Sequence, residues 1–359
     1  MRVLLVTGSF PPIHCGVGEY AHNLHGALAG LRDVRVGVLT SVQVAGRAEE
    51  GLEVFPIMDR WTPAEALRAR RVIREWKPDI VHVQYPTQGY RGGRLPRWVP
   101  LMAFANGAKV VQTWHDSYHT RQFFKLFLQS TVPGALVAVR SNFKELLPKP
   151  LHWTFWNKRF AFIRNASPFP PRELSRAEAS EIRARYLKGQ NRLIVFFGFV
   201  NPNKRIELLF DVADPATDQI ILAGEIRETR KYHRQIVALA SSERWAGKVT
   251  ITGFLDPSDA AALLAVSDAV VLPFEAGGGD WNTSTHAAVM QKAFVITTSL
   301  THNGYDAKRN TFFVPVDDVA AMRSALAAHA GTKRAHDPDI DRDEWKAIAV
   351  EHQSLYSSL

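Results

Sequence analysis

The chain opens on Arg2-Val-Leu-Leu-Val-Thr-Gly-Ser-Phe-Pro-Pro-Ile-His-Cys-Gly-Val-Gly-Glu-Tyr20, an apolar strand pattern followed by a glycine-containing turn and a helical stretch at 21–31. The same order returns in Leu193-Ile-Val-Phe-Phe-Gly-Phe-Val-Asn-Pro-Asn-Lys-Arg205, ahead of a helical pattern at 206–213. A strand, a glycine turn and a helix N-terminus together bind anions, because the first N–H groups of a helix lack partners and its dipole favours negative charge. Two such openings, one in each half of the chain, predict two domains with a ligand between them.

Length and composition agree with a globular protein of two domains. The 359 residues exceed the usual size of a single hydrophobic core, and 46% are hydrophobic and 22% charged, as in ordinary globular proteins. Cys15 is the only cysteine, which excludes an internal disulfide framework and fits a reducing compartment. Its neighbour His14 does not indicate a thiolate metal site, because no second cysteine is present to complete one. There is no secretory signal pattern and no apolar run of about 18 residues, so we expect a cytoplasmic protein.

The positive charge is concentrated in the first half. Residues 1–180 contain 24 Lys and Arg against 13 Asp and Glu, whereas residues 181–359 contain 20 against 22. Cations alternate with aromatic residues in Tyr90-Arg-Gly-Gly-Arg-Leu-Pro-Arg-Trp98 and Leu151-His-Trp-Thr-Phe-Trp-Asn-Lys-Arg159. This pattern suits an anionic membrane surface, here the inner face of the cell membrane, or an acidic acceptor; a solvated basic face is the alternative. Nucleic acid is not expected, because no recognition-helix, RNA-platform or zinc-finger pattern accompanies the charge.

Strand and helix patterns alternate along both halves. The predicted strands are 34–40, 51–55, 80–83, 109–114, 134–139, 193–197, 219–223, 249–252, 269–272, 294–297 and 311–314, besides the opening one. The predicted helices between them are 61–76, 122–129, 141–147, 206–213, 228–239, 257–266, 284–291 and 319–330, with a Pro- and Arg-containing linker at 165–175 and a final helix near Trp345. This alternation predicts an α/β fold with parallel sheets, helices on both faces, and ligands at the carboxyl ends of the strands.

A series of short motifs, in the right order, resembles glycosyltransferase family 4 of the GT-B fold. The motifs are Phe10-Pro-Pro-Ile-His-Cys-Gly-Val-Gly-Glu-Tyr20, Lys77-Pro-Asp-Ile-Val-His-Val83, Gln112-Thr-Trp-His-Asp116, Phe162-Ile-Arg-Asn165, Gly198-Phe-Val-Asn-Pro-Asn-Lys204, Thr252-Gly-Phe254 and Ala265-Val-Ser-Asp-Ala-Val-Val-Leu-Pro273. The resemblance implies two Rossmann-like domains facing across a cleft. Residues 1–168 would be the acceptor-side domain, residues 169–339 would bind a nucleotide sugar, and the helix within 340–359 would pack back on the first domain.

The sequence departs from the family in the loop that follows the strand at 269–272. Family members that retain anomeric configuration usually carry two glutamates eight positions apart. Aligned through Phe294-Val-Ile296, these glutamates fall on Gly279 and Ala287, and the arginine expected after the second-domain glycine is Phe199. Glu275 and Asp280 flank a triple glycine here. That loop is expected either to present amides and a carboxylate to sugar hydroxyls or to be purely connective.

The residues of the second domain suggest a site for the donor diphosphate. Lys204, beside Arg205, stands where a cation would balance the leaving diphosphate, the alternative being a solvated loop lysine. Thr283, Ser284 and Thr285 precede a helix, so they either bind phosphate at its N-terminus or act as an ordinary N-cap. Gly198 belongs to the turn after the strand, and Glu225, which follows the strand at 219–223, is expected near the base or ribose.

The first domain supplies the remaining candidates. Gly16 and Gly18 would let the backbone approach the same phosphates without a Cβ clash, although a simple tight turn also explains them. By resemblance His115 contacts the sugar near the reacting carbon, and Asp116 either orients it or caps the following helix; a purely structural histidine is the alternative.

The sequence thus predicts a glycosyltransferase that moves a sugar from a nucleotide-sugar donor to an acceptor hydroxyl. By resemblance, retention of configuration and independence from metal ions and cofactors are expected, and no Asp-x-Asp pair or divalent-ion loop spacing occurs. The acceptor is left open among a lipid-linked glycan, a polysaccharide and a small molecule. Two alternatives remain: an epimerase-like GT-B enzyme acting on a nucleotide sugar, and an inactive member that binds a nucleotide sugar or acts as a scaffold.

Overall fold

The computed structural model describes residues 1–46, 51–116, 123–147, 149–279 and 281–359. The chain divides into two compact units, the first made of Met1–Asn165 with Asp343–Leu359 and the second of Ala166–Arg342. Each unit has its own sheet and its own hydrophobic core.

The first unit is a parallel sheet with helices. Its strands are β1 (Arg2–Val6), β2 (Arg35–Ser41), β3 (Glu53–Met58), β4 (Ile80–Tyr85), β5 (Lys109–Trp114), β6 (Gly134–Ala138) and β7 (Lys158–Phe162). They lie in the order β3-β2-β1-β4-β5-β6-β7, and all pairings are parallel. Its helices are α1 (Gly16–Ala29), α2 (Ala66–Trp76), α3 (Val99–Ala105), α4 (Phe123–Thr131), α5 (Phe143–Leu146), α6 (Lys149–His152) and α13 (Glu344–Ser357).

The second unit repeats this plan. Its strands are β8 (Arg192–Phe197), β9 (Asp218–Ala223), β10 (Val249–Ile251), β11 (Ala269–Leu272), β12 (Val295–Ser299), β13 (Gly304–Asp306) and β14 (Thr311–Pro315). They lie in the order β10-β9-β8-β11-β12-β14-β13, and only the β13–β14 pair is antiparallel. Its helices are α7 (Arg176–Tyr186), α8 (Leu209–Val212), α9 (Lys231–Ala240), α10 (Pro257–Val266), α11 (Thr283–Met290) and α12 (Val319–His329).

The strand orders show where ligands are expected in each unit. The order reverses beside the first strand of each sheet, between β1 and β4 in the first unit and between β8 and β11 in the second. Residues 3–6 and 193–196 are fully buried, because helices cover both faces of a parallel sheet. A crevice for ligands forms at the carboxyl ends of the strands where the order reverses. The prediction of two Rossmann-like parallel-sheet domains is confirmed.

Helix α13 packs on the first unit, although residues 166–342 separate it from that unit in sequence. The Tyr356 hydroxyl lies 2.7 Å from Nδ1 of buried His82, and Nε2 of the same ring lies 2.7 Å from the Thr113 hydroxyl. At the other end of the helix, the Trp345 ring lies 5.3 Å from the Tyr20 ring of α1. Aromatic packing and a buried hydrogen-bond chain therefore fix this segment to the sheet.

The structure adds five elements that the sequence patterns did not predict: β7, β13, α3, α6 and α7. Strand β7 is an edge strand that begins with Lys158 and Arg159 and is partly exposed, so it lacks the apolar run of a central strand. Helix α7 buries none of its side chains fully, and only Ala179, Ile182 and Tyr186 pack partly buried against the core, so its apolar pattern is weak. The predicted helix at 61–76 starts later, at Ala66, because Trp61 has a left-handed φ of 55°.

Candidate active site

Two neighbouring strands of the second unit, β8 and β11, end close to the first turn of α11. Gly198 follows β8 with a φ of +135°, a backbone conformation that favours glycine. A Cβ at this position would lie 2.8 Å from Oγ of Ser284 in α11. The missing side chain therefore lets the Ser284 hydroxyl approach the turn after β8, at the edge where a ligand is expected.

Lys204 and Glu275 lie on the same edge. Lys204 ends a short 3₁₀ turn, Pro202–Lys204, and its Nζ lies 4.1 Å from the centre of the Phe274 ring just after β11. The backbone N–H of Glu275 donates to the Asn203 carbonyl at 3.0 Å. The turn after β8 and the loop after β11 are thus tied together, and Lys204 is held by a cation–π contact at the strand edge that also carries Gly198.

The N-terminus of α11 has an arrangement suited to an anion. The N-cap residue Asn282 does not cap the helix with its side chain, because its Oδ1 accepts a hydrogen bond from the Gly279 N–H at 3.0 Å instead. Hydroxyls stand at Thr283, Ser284 and Thr285, and the buried Thr285 Oγ1 has no hydrogen-bond partner among the described residues. First-turn N–H groups, the helix dipole and hydroxyl donors together favour a negatively charged group here.

The backbone amides of the triple-glycine loop donate to acceptors within the protein. The N–H of Gly277 donates to the Phe274 carbonyl at 3.1 Å, that of Gly278 to Thr298 at 2.6 Å, and that of Gly279 to Asn282 at 3.0 Å. Each of these amides already has an acceptor, so a sugar hydroxyl would have to displace it, and sugar binding by this loop stays a prediction. Asp280 lies outside the described residues.

Trp281 occupies the space beside Gly279, where the family alignment places the first glutamate. A Cβ on Gly279 would lie 2.3 Å from the Trp281 ring, so a side chain there requires the ring to move. The loop is built around this indole in place of a carboxylate.

The two remaining donor-site candidates are engaged in ion pairs. Arg205 Nε lies 2.9 Å from Glu207, and its Nη2 lies 3.1 Å from Asp317. Glu225 accepts two hydrogen bonds from Arg227, at 3.0 and 2.9 Å. A ligand that uses Arg205 or Glu225 must compete with these contacts.

In the first unit, His115 stands just after β5 and is held from two sides. Its backbone N–H donates to the Tyr85 carbonyl at 2.9 Å, and its ring Nε2 lies 2.8 Å from the amide oxygen of Gln84 at the end of β4. The Tyr20 ring packs edge-on against it with 4.7 Å between ring centres. With Gln84 accepting, the proton is on Nε2, which leaves Nδ1 as a hydrogen-bond acceptor.

The surroundings of His115 favour its neutral form. Burial, and then the proximity of His352, lower the pKa of His115 to about 3. Asp116 is exposed and lies near Arg140. Burial lowers the pKa of the Arg140 guanidinium, and the charge of Asp116 offsets only part of that shift. The side chain bonded to the His115 ring is that of Gln84.

Gly16 and Gly18 both lie in the first turn of α1. Gly16 is its first residue, so it stands at a helix N-terminus beside the carboxyl end of β1. Gly18 is buried, and a Cβ on it would lie 3.0 Å from Ser9 atoms, so close packing of the helix on the turn after β1 requires this glycine. Glu19 follows it, and burial raises the pKa of its carboxyl to about 7.

Among the described residues, no group of three or more His, Cys, Asp and Glu side chains could hold a metal ion. In the same part of the chain, no helix is both long and apolar enough to cross a membrane.

Comparison with solved structures identifies the architecture. Sucrose-phosphate synthase from Thermosynechococcus elongatus aligns with 100% of this chain and 98% of its own, with a TM-score of 0.73 and 16% identity. HepE of Anabaena, solved with UDP and glucose, covers 100% and 98% with a TM-score of 0.70 and 15% identity. The catalytic domain of starch synthase IV from Arabidopsis thaliana, bound to ADP and acarbose, covers 100% and 99% with a TM-score of 0.66 and 12% identity. The fold is that of the GT-B enzymes.

The sequence comparison adds the chemistry. Residues 15–167 match Glycosyltransferase Family 4, whereas no curated protein matches the sequence. The chain is a glycosyltransferase with the GT-B fold, and the matched segment covers most of its first unit.

Two residues of the site, Gln84 and Trp281, were not predicted from the sequence. Gln84 falls on the last position of the "PDIVHVH" motif, where the family has a histidine, and that substitution was an available signal. Trp281 follows the triple glycine, but nothing in the sequence shows that its ring covers Gly279.

Proposed function

We propose that this enzyme transfers a sugar from a nucleotide-sugar donor to an acceptor hydroxyl, with retention of anomeric configuration and without a metal ion or other cofactor. The donor is assigned to the second unit and the acceptor to the first. That both units bind the donor together stays a prediction.

The observation that carries the proposal is the cluster at the carboxyl edge of β8 and β11. A leaving nucleoside diphosphate develops negative charge, which must be stabilised where it forms. The Lys204 ammonium, the Ser284 hydroxyl beside Gly198 and the first turn of α11 are the groups that such an anion requires. The unpartnered Thr285 hydroxyl is a further donor at this turn.

His115 supports the acceptor side. Held by Gln84 with its proton on Nε2, the ring offers Nδ1 as an acceptor for a sugar or acceptor O–H. Its low pKa keeps the ring uncharged near neutral pH, so it can accept a hydrogen bond there.

Relatives of the same fold support the donor class. HepE of Anabaena was solved with UDP-glucose and with UDP, and starch synthase IV was solved with ADP. A lipopolysaccharide galactosyltransferase, WaaB, also aligns over 100% of this chain with a TM-score of 0.62 and 10% identity. We propose UDP-, GDP- or ADP-linked hexoses as donors, and a glycan or lipid-linked glycan at the inner membrane face as the acceptor.

A donor screen tests the proposal. The purified chain is incubated with UDP-, GDP- and ADP-sugars, with and without a chelator, and thermal stabilisation, nucleoside diphosphate release and interconversion of the sugar are measured. We expect one donor both to stabilise the protein and to release its diphosphate. Binding without release would instead favour the inactive scaffold, interconversion would favour the epimerase, and loss of release with chelator would contradict metal independence.

A further inference from the structure

Six of the thirteen exposed large apolar side chains of the described residues lie on α3, on α4 and on the segments next to them in the first unit. Trp156 is 80% exposed, Trp153 57%, Phe104 49% and Trp98 48%, and Phe127 is 39% exposed. Together with Leu101, which is 38% exposed, these six side chains define the α3–α4 face. Scattered exposed apolar residues are normal on soluble proteins, but several large aromatic side chains on neighbouring elements mark an interaction surface.

The elements that carry these residues are neighbours in space. Successive parallel crossovers β4–α3–β5 and β5–α4–β6 are right-handed, which places α3 and α4 on the same face of the sheet. Helix α4 packs against α3, against α6 and against the 3₁₀ turn Trp153–Phe155. The Phe127 and Trp153 rings lie 5.9 Å apart, so these two exposed rings adjoin each other across α4 and this turn.

Positive charge surrounds the same face. Residues 80–165 contain twelve Lys and Arg and only two Asp and Glu, so this segment holds more net charge than the whole chain. Lys125 of α4, Lys149 of α6 and Arg94 are exposed, and Arg97 is partly exposed. None of these four cations forms an ion pair with any described residue, so their charges are available to an external partner.

We propose that the α3–α4 face is a docking surface for an anionic lipid bilayer, which binds the first unit peripherally. Trp and Phe rings lie favourably at the level of the lipid headgroups, and Lys and Arg are attracted by the negative surface potential of acidic lipids. A bilayer explains both halves of the surface, because it offers an apolar layer directly beneath a layer of negative charge. A nucleic-acid duplex would use the cations but leaves the exposed indoles unexplained, because its bases are already stacked on one another.

The face also adjoins the acceptor side of the site. Arg97 Nε lies 3.4 Å from the Tyr85 hydroxyl, and the Tyr85 carbonyl accepts the N–H of His115. A bilayer on this face would hold the edge that carries His115 near the headgroups, where a lipid-linked acceptor presents its sugar. This last step, the lipid-linked acceptor, rests on the proposed transfer reaction, whereas binding to the bilayer does not.

Vesicle sedimentation tests the surface without any donor or acceptor. The full chain is mixed at low salt with phosphatidylcholine vesicles, with or without phosphatidylglycerol. The test variant is Lys125→Glu with Lys149→Glu, and the matched control is Lys188→Glu with Lys231→Glu, two exposed lysines of the second unit. Both pairs change the net charge equally. We expect binding only to the anionic vesicles, a loss of binding as salt rises, and roughly a hundredfold weaker binding for the test pair alone.

A second variant tests the aromatic half of the surface. Trp153→Ser with Trp156→Ser should weaken binding to anionic vesicles and remove a blue shift of tryptophan emission that accompanies binding of the parent. Both side chains are more than half exposed, so folding should be unaffected. No binding of the parent to anionic vesicles, or equal losses in the test and control lysine pairs, would overturn the proposal. Sugar transfer to a soluble acceptor, measured separately, reports on the proposed function whichever result is obtained.

Discussion

The two units share one architecture but differ in charge and in how they hold their candidate residues. Strands β2-β1-β4-β5 and β9-β8-β11-β12 follow the same order, yet the first unit holds 23 Lys and Arg against 14 Asp and Glu, whereas the second holds 21 of each. The first unit positions a neutral histidine by hydrogen bonds, and the second gathers a cation, hydroxyls and a helix N-terminus. The comparison shows that the shared sheet places a ligand site at the carboxyl ends of its strands, and that the residues following each strand determine which ligand binds there.

The largest expected difference between the units is their sensitivity to acid. Burial lowers the pKa of His82, of His115 to about 3, and of His352 to about 4, all in the first unit. The unfolded chain binds protons at these histidines below about pH 6.5, whereas the folded unit does not, so stability falls as the pH drops below that value. Each histidine lowers the free energy of unfolding by at most about 1.4 kcal/mol per pH unit of acidification. Glu19, whose pKa is raised, has the opposite effect, but it is a single group against three histidines.

Hydrogen exchange followed by mass spectrometry, from about pH 7 to about pH 4, checks this prediction after correction for the intrinsic exchange rate. Peptides of β4, β5 and α13 should lose protection at a higher pH than peptides of β8 and β11. Simultaneous opening of both sheets, or earlier opening of the second, would contradict the assigned burial of these histidines.

The elements predicted correctly from the sequence are those with strong local patterns. The apolar runs of β1, β8 and β11 indicate buried strands because a central parallel strand is covered on both faces. Edge strand β7 and polar helix α7 lack such patterns and were missed. For the site, the sequence placed Lys204 in the turn after β8 and Ser284 at the start of a helix, although Ser284 lies inside α11 and its N-cap is Asn282. The sequence could not show that Arg205 pairs with Glu207 and Asp317.

The next largest effect is expected at Lys204. If its ammonium balances the leaving diphosphate, Lys204→Ala should lower kcat by roughly a hundredfold or more while the melting temperature changes little. Steady-state release of nucleoside diphosphate measures this, and Lys231→Ala, which removes an exposed lysine of α9, is the control. Equal turnover for Lys204→Ala and the parent would contradict the assignment of Lys204 to the leaving diphosphate.

The third prediction concerns the glutamate position of the family. Gly279→Glu should destabilise the second unit by about 1–3 kcal/mol, because the new Cβ overlaps the Trp281 ring. Adding Trp281→Gly should recover much of that loss. Gly26→Ala in α1, where a Cβ meets no atom within 4 Å, should instead be neutral or stabilising. Urea unfolding measures all three variants, and an unchanged stability for Gly279→Glu would show that the indole is free to move.

The smallest effect is expected at Gln84, which holds the first unit's histidine. Gln84→Glu places a carboxylate beside the His115 ring and favours imidazolium, so the pKa of His115 should rise by about one unit or more. Among the described residues, the other titratable groups near this ring include Tyr20 of α1, His82 of β4 and His352 of α13.

If the neutral His115 ring is the active form, as proposed, the acid limb of the pH–rate profile should move upward in Gln84→Glu. Gln84→Met, of similar volume, should lower kcat without that movement. Selectively labelled histidine observed by NMR reports the same titration independently of activity. An unmoved His115 titration in Gln84→Glu would show that the amide does not control the ring.

The division of roles between the units is tested most directly by hydrogen exchange of the parent chain with two probes added separately. The probes are nucleoside diphosphates (UDP, GDP and ADP) and anionic vesicles. We predict that one diphosphate protects residues 198–205 and 283–286 of the second unit, and that vesicles protect α3, α4 and the turn Trp153–Phe155 of the first. Diphosphate protection that excludes residues 198–205 and 283–286, or vesicle protection centred on the second unit, would contradict this assignment.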